Sequence, residues 1–478
     1  MGLFLRLYKP LDFYIYNHDG DLASWIVKDV VVNHHFRLIG QETSVHGVFI
    51  GPLFYYLLIP FYLLGRMDPF GGVFLSALIG IFTIFSFYWV FTKIFNRKVG
   101  FVSAIIYSLS FYTVLTDRDV VPTTPAMLWS VWFLYCTHLL YKGEQKKGFI
   151  LSAIMISLIW HINLALLLLT PLLLVSLVLG KVKINLKILL LGAIVLIITS
   201  SPFLLFETRH NFQQTKAIIA SVTTNRNYIP GTSTGINKFE RVITLSSKNI
   251  SGLLWGDLTN VSHMVAFYLL IGIFVFLVIK KVLPVHLAII FFCWQALYFI
   301  FFTINSLNLS EYYLNGMNVI WIEILAIFFV YLLNNKKLKI LGLVLVLGFA
   351  YWNLYRFFIY KPNQIGYRQK KELVHYIKVD AEKHGYPCVA VSYITSPGYD
   401  LGYRYFFWLE NMHVNQSWSR SPVYSIVFPL AKVSRIDKSF GVLGLVLPDY
   451  ERYSQDKVKI SCSGQNSNLT DPLFGYTE

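Results

Sequence analysis

The chain has 478 residues, 55% of them hydrophobic and only 14% charged, with a mean hydropathy of +0.55. An ordinary soluble domain carries about 25% charged residues, so a water-soluble fold is excluded: apolar surface on this scale has to face lipid or other membrane helices. The net charge of +16 invites a nucleic-acid reading, but the basic residues sit where membrane topology needs them, and no nucleic-acid partner is expected.

The opening MGLFLRLYKP has a short apolar patch with Arg6 and Lys9, and neither the apolar core nor the cleavage site of a signal peptide. Leu3–Tyr8 reads as the end of a first membrane helix that is truncated at the start of the chain. Asn17-His18-Asp19-Gly20-Asp21 then precedes LASWIVKDVVVNHHF, which reads as an amphipathic helix. The run 47–64 is punctuated by Gly51-Pro52 and Pro60 and reads as a juxtamembrane or re-entrant helix. Apolar runs of roughly 17 residues or more, enough to span, follow near 70–95, 100–116, 122–141, 186–206, 262–280, 284–306, 314–333 and 338–359. The stretch 148–180 reads as two spans broken around His161–Asn163, for about ten helices in all.

Orientation comes from the loops. Lys93, Arg97 and Lys98 fill one; Lys142, Lys146 and Lys147 the next; then Lys181, Lys183 and Lys187; Lys280 and Lys281; Lys336, Lys337 and Lys339. These alternate with acidic, mixed or polar loops at 65–69, 117–122, 207–261 and 307–313. By the positive-inside rule the basic loops are cytoplasmic, and the alternation holds at every step only if 47–64 does not span. Residues 9–69, the polar loops and the tail from 361 are therefore expected outside an inner (plasma) membrane. In that tail, CVAVSYIT (388–395), SPVYSIVFPL (421–430) and FGVLGLVLPDY (440–450) read as strands. Residues 367–385 read as an amphipathic helix closed by Gly385, and NSNLTDPLFGYTE as a frayed end. The expected fold class is mainly α: a polytopic transmembrane helical bundle over residues 1–360, with first outer loop 9–69 carrying juxtamembrane helices, and a small extracytoplasmic α/β domain over 361–478. Of four cysteines, only Cys388 and Cys462 fall outside apolar runs; one bridge between them is compatible with the sequence.

Three acidic groups on the outer face can carry chemistry. Asp19 and Asp21 can deprotonate a hydroxyl or hold a divalent cation on a lipid phosphate; they can equally cap the helix that follows. In Asp117-Arg118-Asp119 the planar guanidinium suits phosphate, or the three form an ion pair ending a helix. Glu311-Tyr312-Tyr313 lies in a short outer loop, where tyrosines also serve as interfacial anchors. Glu207, Arg209 and His210 open the long outer loop. His18, His34, His35 and His46 match no zinc spacing, so no structural zinc is expected. His161, beside Trp160 and Asn163, marks a turn of chain at the outer face or a packing position.

HDGD (18–21), GVFIGPLFYYLLIPFYLLG (47–65), TDRDVVPTTP (116–125) and FETRHNF (206–212) together resemble the C-type (GT-C) glycosyltransferases. The likeness is to the family of dolichyl-phosphate-mannose–protein mannosyltransferases and the lipid A aminoarabinose transferase, and within it to the uncharacterised bacterial branch. Two positions depart from its pattern: Arg118 is followed by Asp119-Val120-Val121-Pro122 instead of a Trp-Asn-Pro, and Asp21 by Leu22-Ala23 instead of Arg-Asp-Ala. The resemblance implies an inverting transfer of a hexose or pentose from a polyprenyl-phosphate donor to a lipid, glycan or protein acceptor at the extracytoplasmic face. Carried over, it makes Asp19 the base, with Asp21 second, and Arg118 the donor-phosphate ligand oriented by Asp117 or Asp119. Arg209 and His210 are further phosphate candidates, Glu311 and Tyr312 support the site, and a groove beside 47–64 holds the prenyl chain. No cofactor is required; Asp19-x-Asp21 and Asp117-x-Asp119 leave room for Mg or Mn, with metal-independent chemistry preferred. The rival reading is a transporter or lipid flippase, which would place charges near the bilayer midplane. Here the charges crowd at the outer ends of the spans. A membrane-anchored scaffold would not need so many spans.

Overall fold

The computed structural model describes residues 1–223, 236–256, 260–305, 310–362 and 364–469. Among these, five helices are long and apolar enough to cross a bilayer: Gly71–Ile94, Ser262–Ile279, Val285–Ile304, Glu311–Asn334 and Lys339–Ile359. A sixth candidate is the pair Leu186–Thr199 and Ser201–Arg209, bent by 61°. The predicted count of about ten is not reached by this measure, because the other runs are divided by polar residues or, like Ala126–Tyr141 after Pro125, form shorter helices.

The run 100–116 becomes Arg97–Leu109 and Phe111–Thr116. The break at Ser110 frees the Phe111 N–H, which donates to Asn353 Oδ1 at 2.9 Å, while Ser110 Oγ donates to Leu253 O at 3.2 Å. Within 148–180, Asn163 ends helix Gln145–Ile162 and its side chain accepts from Ala165 N to start a 3-10 turn, Leu164–Leu169. Pro171 then opens Pro171–Leu179, a position that suits a residue with no N–H to offer. Leu53–Leu64 has 12 residues, about 18 Å of helix at 1.5 Å per residue, short of a hydrocarbon core of roughly 30 Å. It lies beside Gly71–Ile94 without spanning, as its prolines predict.

The basic loops meet at one end of the bundle. Lys98 Nζ donates to Asn334 Oδ1 at 2.6 Å, Gln145 Nε2 to Lys183 O at 2.8 Å, and the Tyr141 ring stacks on His286 at 3.8 Å. Asn96, Val282 and Asn334 line one cavity there. At the opposite end the polar loops interlock: Ser44 Oγ lies 2.7 Å from Tyr312 Oη, and Asn163 Nδ2 donates to Tyr312 O at 3.0 Å. Helix Asn318–Asn334 runs through the packed interior and buries Trp321, Ile322 and Ile324. Its Glu323 is fully buried and accepts from Ser103 Oγ at 2.8 Å. Lys339–Ile359, by contrast, leaves Leu343, Leu347 and Tyr351 exposed, the pattern of a lipid-facing helix.

The C-terminal sheet is mixed, in the order β2-β1-β3-β5-β4. Its strands are β1 Val389–Thr395, β2 Val414–Asn415, β3 Val423–Phe428, β4 Lys438–Phe440 and β5 Leu443–Val446. β1 runs parallel to β2 and β3, and β5 antiparallel to β3 and β4. The third predicted strand, 440–450, is in fact the hairpin β4–β5, because Gly441 at φ +63° turns the chain. Helix Tyr367–Lys383 packs Leu373, Val374 and Ile377 on the sheet. It ends before Gly385, whose φ of +69° is readily reached only without a Cβ. Cys388 and Cys462 are bridged, whereas Cys136 and Cys293 are free. Of the predicted frayed end, residues 470–478 lie outside the described residues.

This unit shares one core with the first loop: Tyr16, Ala23, Leu58 and Tyr62 cluster with Leu373, Phe406 and Tyr424. Packing is thus continuous across residue 360. At the start of the chain, the buried Arg6 guanidinium reaches Asp117 Oδ2 (Nε 2.7 Å, Nη2 2.5 Å), and Tyr107 Oη donates to Asp117 Oδ1 at 2.6 Å. Arg6→Ala strands that carboxylate in the interior and is expected to cost about 3–5 kcal/mol, whereas Arg6→Met with Asp117→Leu recovers most of it. Denaturant unfolding in detergent measures both, and an Arg6→Ala loss below about 1 kcal/mol would mean that the pair is open to water.

Candidate functional site

Asp19 and Asp21 fall within a helix that starts earlier than predicted. Helix His18–Val32 is capped by Asn17, whose side chain accepts from Gly20 N at 3.2 Å, so neither aspartate is the cap. Two positions along a helix is about 200° of rotation, and the carboxylates diverge. Asp19 is half-buried, accepts from Gln41 Nε2 at 3.1 Å and lines a cavity. Asp21 is buried against the C-terminal unit and accepts from Tyr405 N at 3.0 Å. Burial raises the Asp21 carboxyl above its ordinary range, opposed by the Tyr405 N–H and by Arg404 and Lys370. Lys370 Nζ donates to Tyr16 O and Leu401 O at 2.9 and 2.8 Å, so the C-terminal unit grips the chain on either side of Asn17. The pair Asp19-x-Asp21 cannot close on one cation.

Asp117-Arg118-Asp119 follows helix Phe111–Thr116 and splits its roles. Asp117 is held by Arg6 and Tyr107. Arg118 is buried, with Nη2 donating to the Leu5 and Tyr8 carbonyls at the end of helix Gly2–Leu7. Its guanidinium lies over the Phe13 ring at 4.4 Å, and Nε and Nη1 have no hydrogen-bond partner. Burial, then nearby Arg6, lower it to about 10, which keeps it charged at neutral pH. Asp119 is half-buried and faces open space.

Two cavities meet at that residue. The first, of 840 Å³, has four cations in its wall (Arg118, Lys248, Arg356, Lys361) against the carboxylates Asp119 and Glu311. Aromatic rings, among them Trp352 and Tyr355, complete it on the side of helix Lys339–Ile359. The second, of 580 Å³, is lined by Asp19, Glu42, Asp117 and Asp119, with no Lys or Arg among the described residues of its wall. Ile15, Tyr112, Thr116 and Asp119 belong to both. Next to the second, an apolar groove of 410 Å³ runs along Leu53, Phe54 and Leu57 towards Trp129 and Trp132. His161 closes its end, with Nδ1 accepting from Leu53 N at 3.3 Å.

The structure therefore brings together Asp19, Asp117, Arg118, Asp119, Glu311 and Tyr312. Arg209 and His210 are exposed, line neither cavity, and are not brought to this place; His210 Nδ1 is 2.8 Å from Phe206 O and its ring stacks on Phe206. Glu207 is buried and accepts from Gln214 N and Thr215 N, an anchor for the start of the next helix. Among the described residues no three His, Cys, Asp or Glu side chains converge as metal ligands, although Asp19, Glu42, Asp117 and Asp119 line one cavity. Sequence reasoning missed Lys248, Arg356 and Lys361. The available signal was their position: they are basic residues on the end that the positive-inside rule leaves poor in them.

The architecture has solved counterparts. It has the fold of ArnT from Cupriavidus metallidurans, seen bound to undecaprenyl phosphate (TM-score 0.56, 12% identity, 95% of this chain and 97% of that one) and in the apo state (0.55, 12%, 94% and 96%). The oligosaccharyltransferase of Archaeoglobus fulgidus, in complex with Zn and sulfate, matches at TM-score 0.50 with 13% identity over 88% of this chain and 62% of that one. The fold is that of the C-type (GT-C) membrane glycosyltransferases. Within that class, residues 50–206 match the family described as dolichyl-phosphate-mannose-protein mannosyltransferase, a segment that includes Asp117–Asp119 and the apolar groove. No curated protein matches the sequence.

Burial first, and then the charge of Asp117, raise the Asp119 carboxyl to about 7. Between the ordinary carboxylate value of about 3.9 and that point, the folded chain holds a proton that the unfolded chain has released, so stability falls as pH rises. Asp119→Asn is expected to remove this slope and to be more stable than the wild type at pH 8. Thermal unfolding in detergent from pH 4.5 to 8 checks it; parallel profiles for the two proteins would contradict the assignment.

Proposed function

We propose that this protein transfers a sugar from a polyprenyl-phosphate donor to a hydroxyl of a lipid, glycan or protein acceptor, with inversion, at the extracytoplasmic face of the inner membrane. The observation that carries the reading is the sorting of charge across Asp119: a cation-lined cavity on one side and an acid-lined cavity on the other, with a shared wall. A lipid phosphate suits the first, where Arg118 offers two unpartnered guanidinium nitrogens, Nε and Nη1, and Lys248, Arg356 and Lys361 add charge. The acceptor hydroxyl suits the second, where Asp19 stands on a rigid helix. The acceptor oxygen forms a bond to the anomeric carbon as its proton passes to the Asp19 carboxylate. The bond from that carbon to the phosphate oxygen breaks, and its electron pair leaves with the phosphate towards the cations. The groove beside Leu53–Leu64 offers an apolar chain a path from the bilayer. A mannose-like donor follows the family match, and a polyprenyl carrier follows the undecaprenyl phosphate of the ArnT structure.

Two features support the outer face. The basic loops lie at the far end of the bundle from the site, and the Cys388–Cys462 bridge belongs to an oxidising compartment. A transporter is the second reading, and buried Glu323 is what favours it, since an ionisable group inside a span commonly marks a path. Set against it are the two charged cavities, both at one end.

The test is turnover of a panel of polyprenyl-phosphate sugars by purified protein with membrane-extract acceptor. Asp19→Asn is expected to lower kcat at least about a hundredfold, as loss of a general base does. Arg118→Ala is expected to lower kcat/KM by about 10²-fold, the effect of losing a charge-stabilising donor. Unchanged turnover in Asp19→Asn would leave Asp19 a structural residue, and turnover by no form of the protein would favour transport.

A further inference from the structure

The second cavity contains polar atoms that the transfer chemistry does not use. Asn318, at the start of helix Asn318–Asn334, is 1% exposed and lines this cavity, yet neither Nδ2 nor Oδ1 has a hydrogen-bond partner. The Tyr112 phenol stands close enough to interact with the Asn318 amide and donates to Asn315 Oδ1 at 3.3 Å. A buried amide with both ends unmet is costly, and is expected where a ligand completes it. Gln41, which lines the same cavity, repeats the arrangement in part. Its Nε2 is committed to Asp19 at 3.1 Å, whereas its Oε1 is buried and unpartnered. The Tyr55 hydroxyl donates nothing to that oxygen; it accepts from Gln41 N at 3.2 Å and fixes the backbone.

We infer that Gln41 and Asn318 form a subsite that reads the hydroxyl groups of a sugar ring, placed between Asp19 and Asp119. The chemistry is that of a neutral polyol. Three amide atoms offer one donor and two acceptors, a set that matches hydroxyls, each of which both donates and accepts. Among the described residues no Lys or Arg lines the cavity to attract an anion, and the carboxylates of Asp19 and Glu42 repel one. Gln41 has a second duty, because the amide that would accept from the ring also holds the Asp19 carboxylate. A ring bound there is registered against the base by a single side chain. The inference rests on the transferase reading and extends it to recognition: the lipid phosphate is held by cations in the first cavity, and the ring is selected by amides in the second.

The ring belongs either to the donor or to the acceptor, and binding separates the two. The probes are undecaprenyl phosphate alone and undecaprenyl-phosphate-linked glucose and mannose, titrated by tryptophan fluorescence against wild type, Gln41→Leu and Asn318→Leu in detergent. With a donor ring in the subsite, wild type prefers a sugar-bearing lipid to the bare lipid phosphate, and each variant loses about tenfold of that preference, the size of one or two neutral hydrogen bonds. Affinity for the bare lipid phosphate stays unchanged in both variants, which also shows that they fold. With an acceptor ring, the donor preference is untouched and the acceptor KM rises by about the same factor in the membrane-extract assay. Variants that match wild type for donor and acceptor alike overturn the subsite and leave the transferase reading standing. Failure of wild type to bind undecaprenyl phosphate at all removes the transferase reading, and the subsite with it.

Discussion

The site end of this bundle is organised by the contact between the first residues of the chain and the Asp117-Arg118-Asp119 turn. Arg6 and Asp117 are paired out of water, and Arg118 reaches back to the carbonyls that end helix Gly2–Leu7. Each residue of the turn then has one possible use. Asp117 neutralises Arg6, Arg118 is held with two guanidinium nitrogens uncommitted, and Asp119 is left facing the space on both sides. A buried pair of this kind contributes little to net stability compared with an apolar replacement, but breaking it is expensive. Here the pair fixes which carboxylate of the turn is available to a ligand.

Around that turn, charge is separated over a short distance. Cations come from four places in the chain: Arg118 from the turn, Lys248 from helix Ile236–Leu254, Arg356 from the end of a lipid-facing helix, and Lys361 from the segment after it. Carboxylates come from the first loop and from the turn itself. Migration of a leaving phosphate towards cations, and of a proton towards a carboxylate, is what glycosyl transfer from a lipid phosphate requires. The C-terminal unit completes the arrangement. Through Tyr405 N and Lys370 it holds the chain on either side of Asp19, so the C-terminal unit acts as a support for the site.

Much of the fold was legible because hydropathy and loop charge are written locally. The alternation of basic and polar loops identified the two ends, and Gly51-Pro52 with Pro60 identified a helix that does not span. The helix over 367–385 and two of the strands also followed from pattern. The span count was less legible, because Ser110 and Asn163 interrupt apolar runs that composition alone reads as continuous. The site was readable only in part. Asp19 and Asp21 look alike in sequence; the difference between them is made by Tyr405, almost four hundred residues further on. FETRHNF looked functional, yet its charged residues lie outside the cavities. Gln41 and Asn318 carry no sequence signal at all, because an amide is unremarkable until burial removes its water.

The central claim is that the two cavities divide the substrate by charge. A structure of the protein with undecaprenyl phosphate bound tests it most directly. The account predicts the phosphate in the first cavity, within about 3 Å of an Arg118 guanidinium nitrogen, the reach of a charge-assisted hydrogen bond, with Asp19 on the other side of Asp119. A phosphate seated in the second cavity, against Asp19 and Glu42, would contradict it.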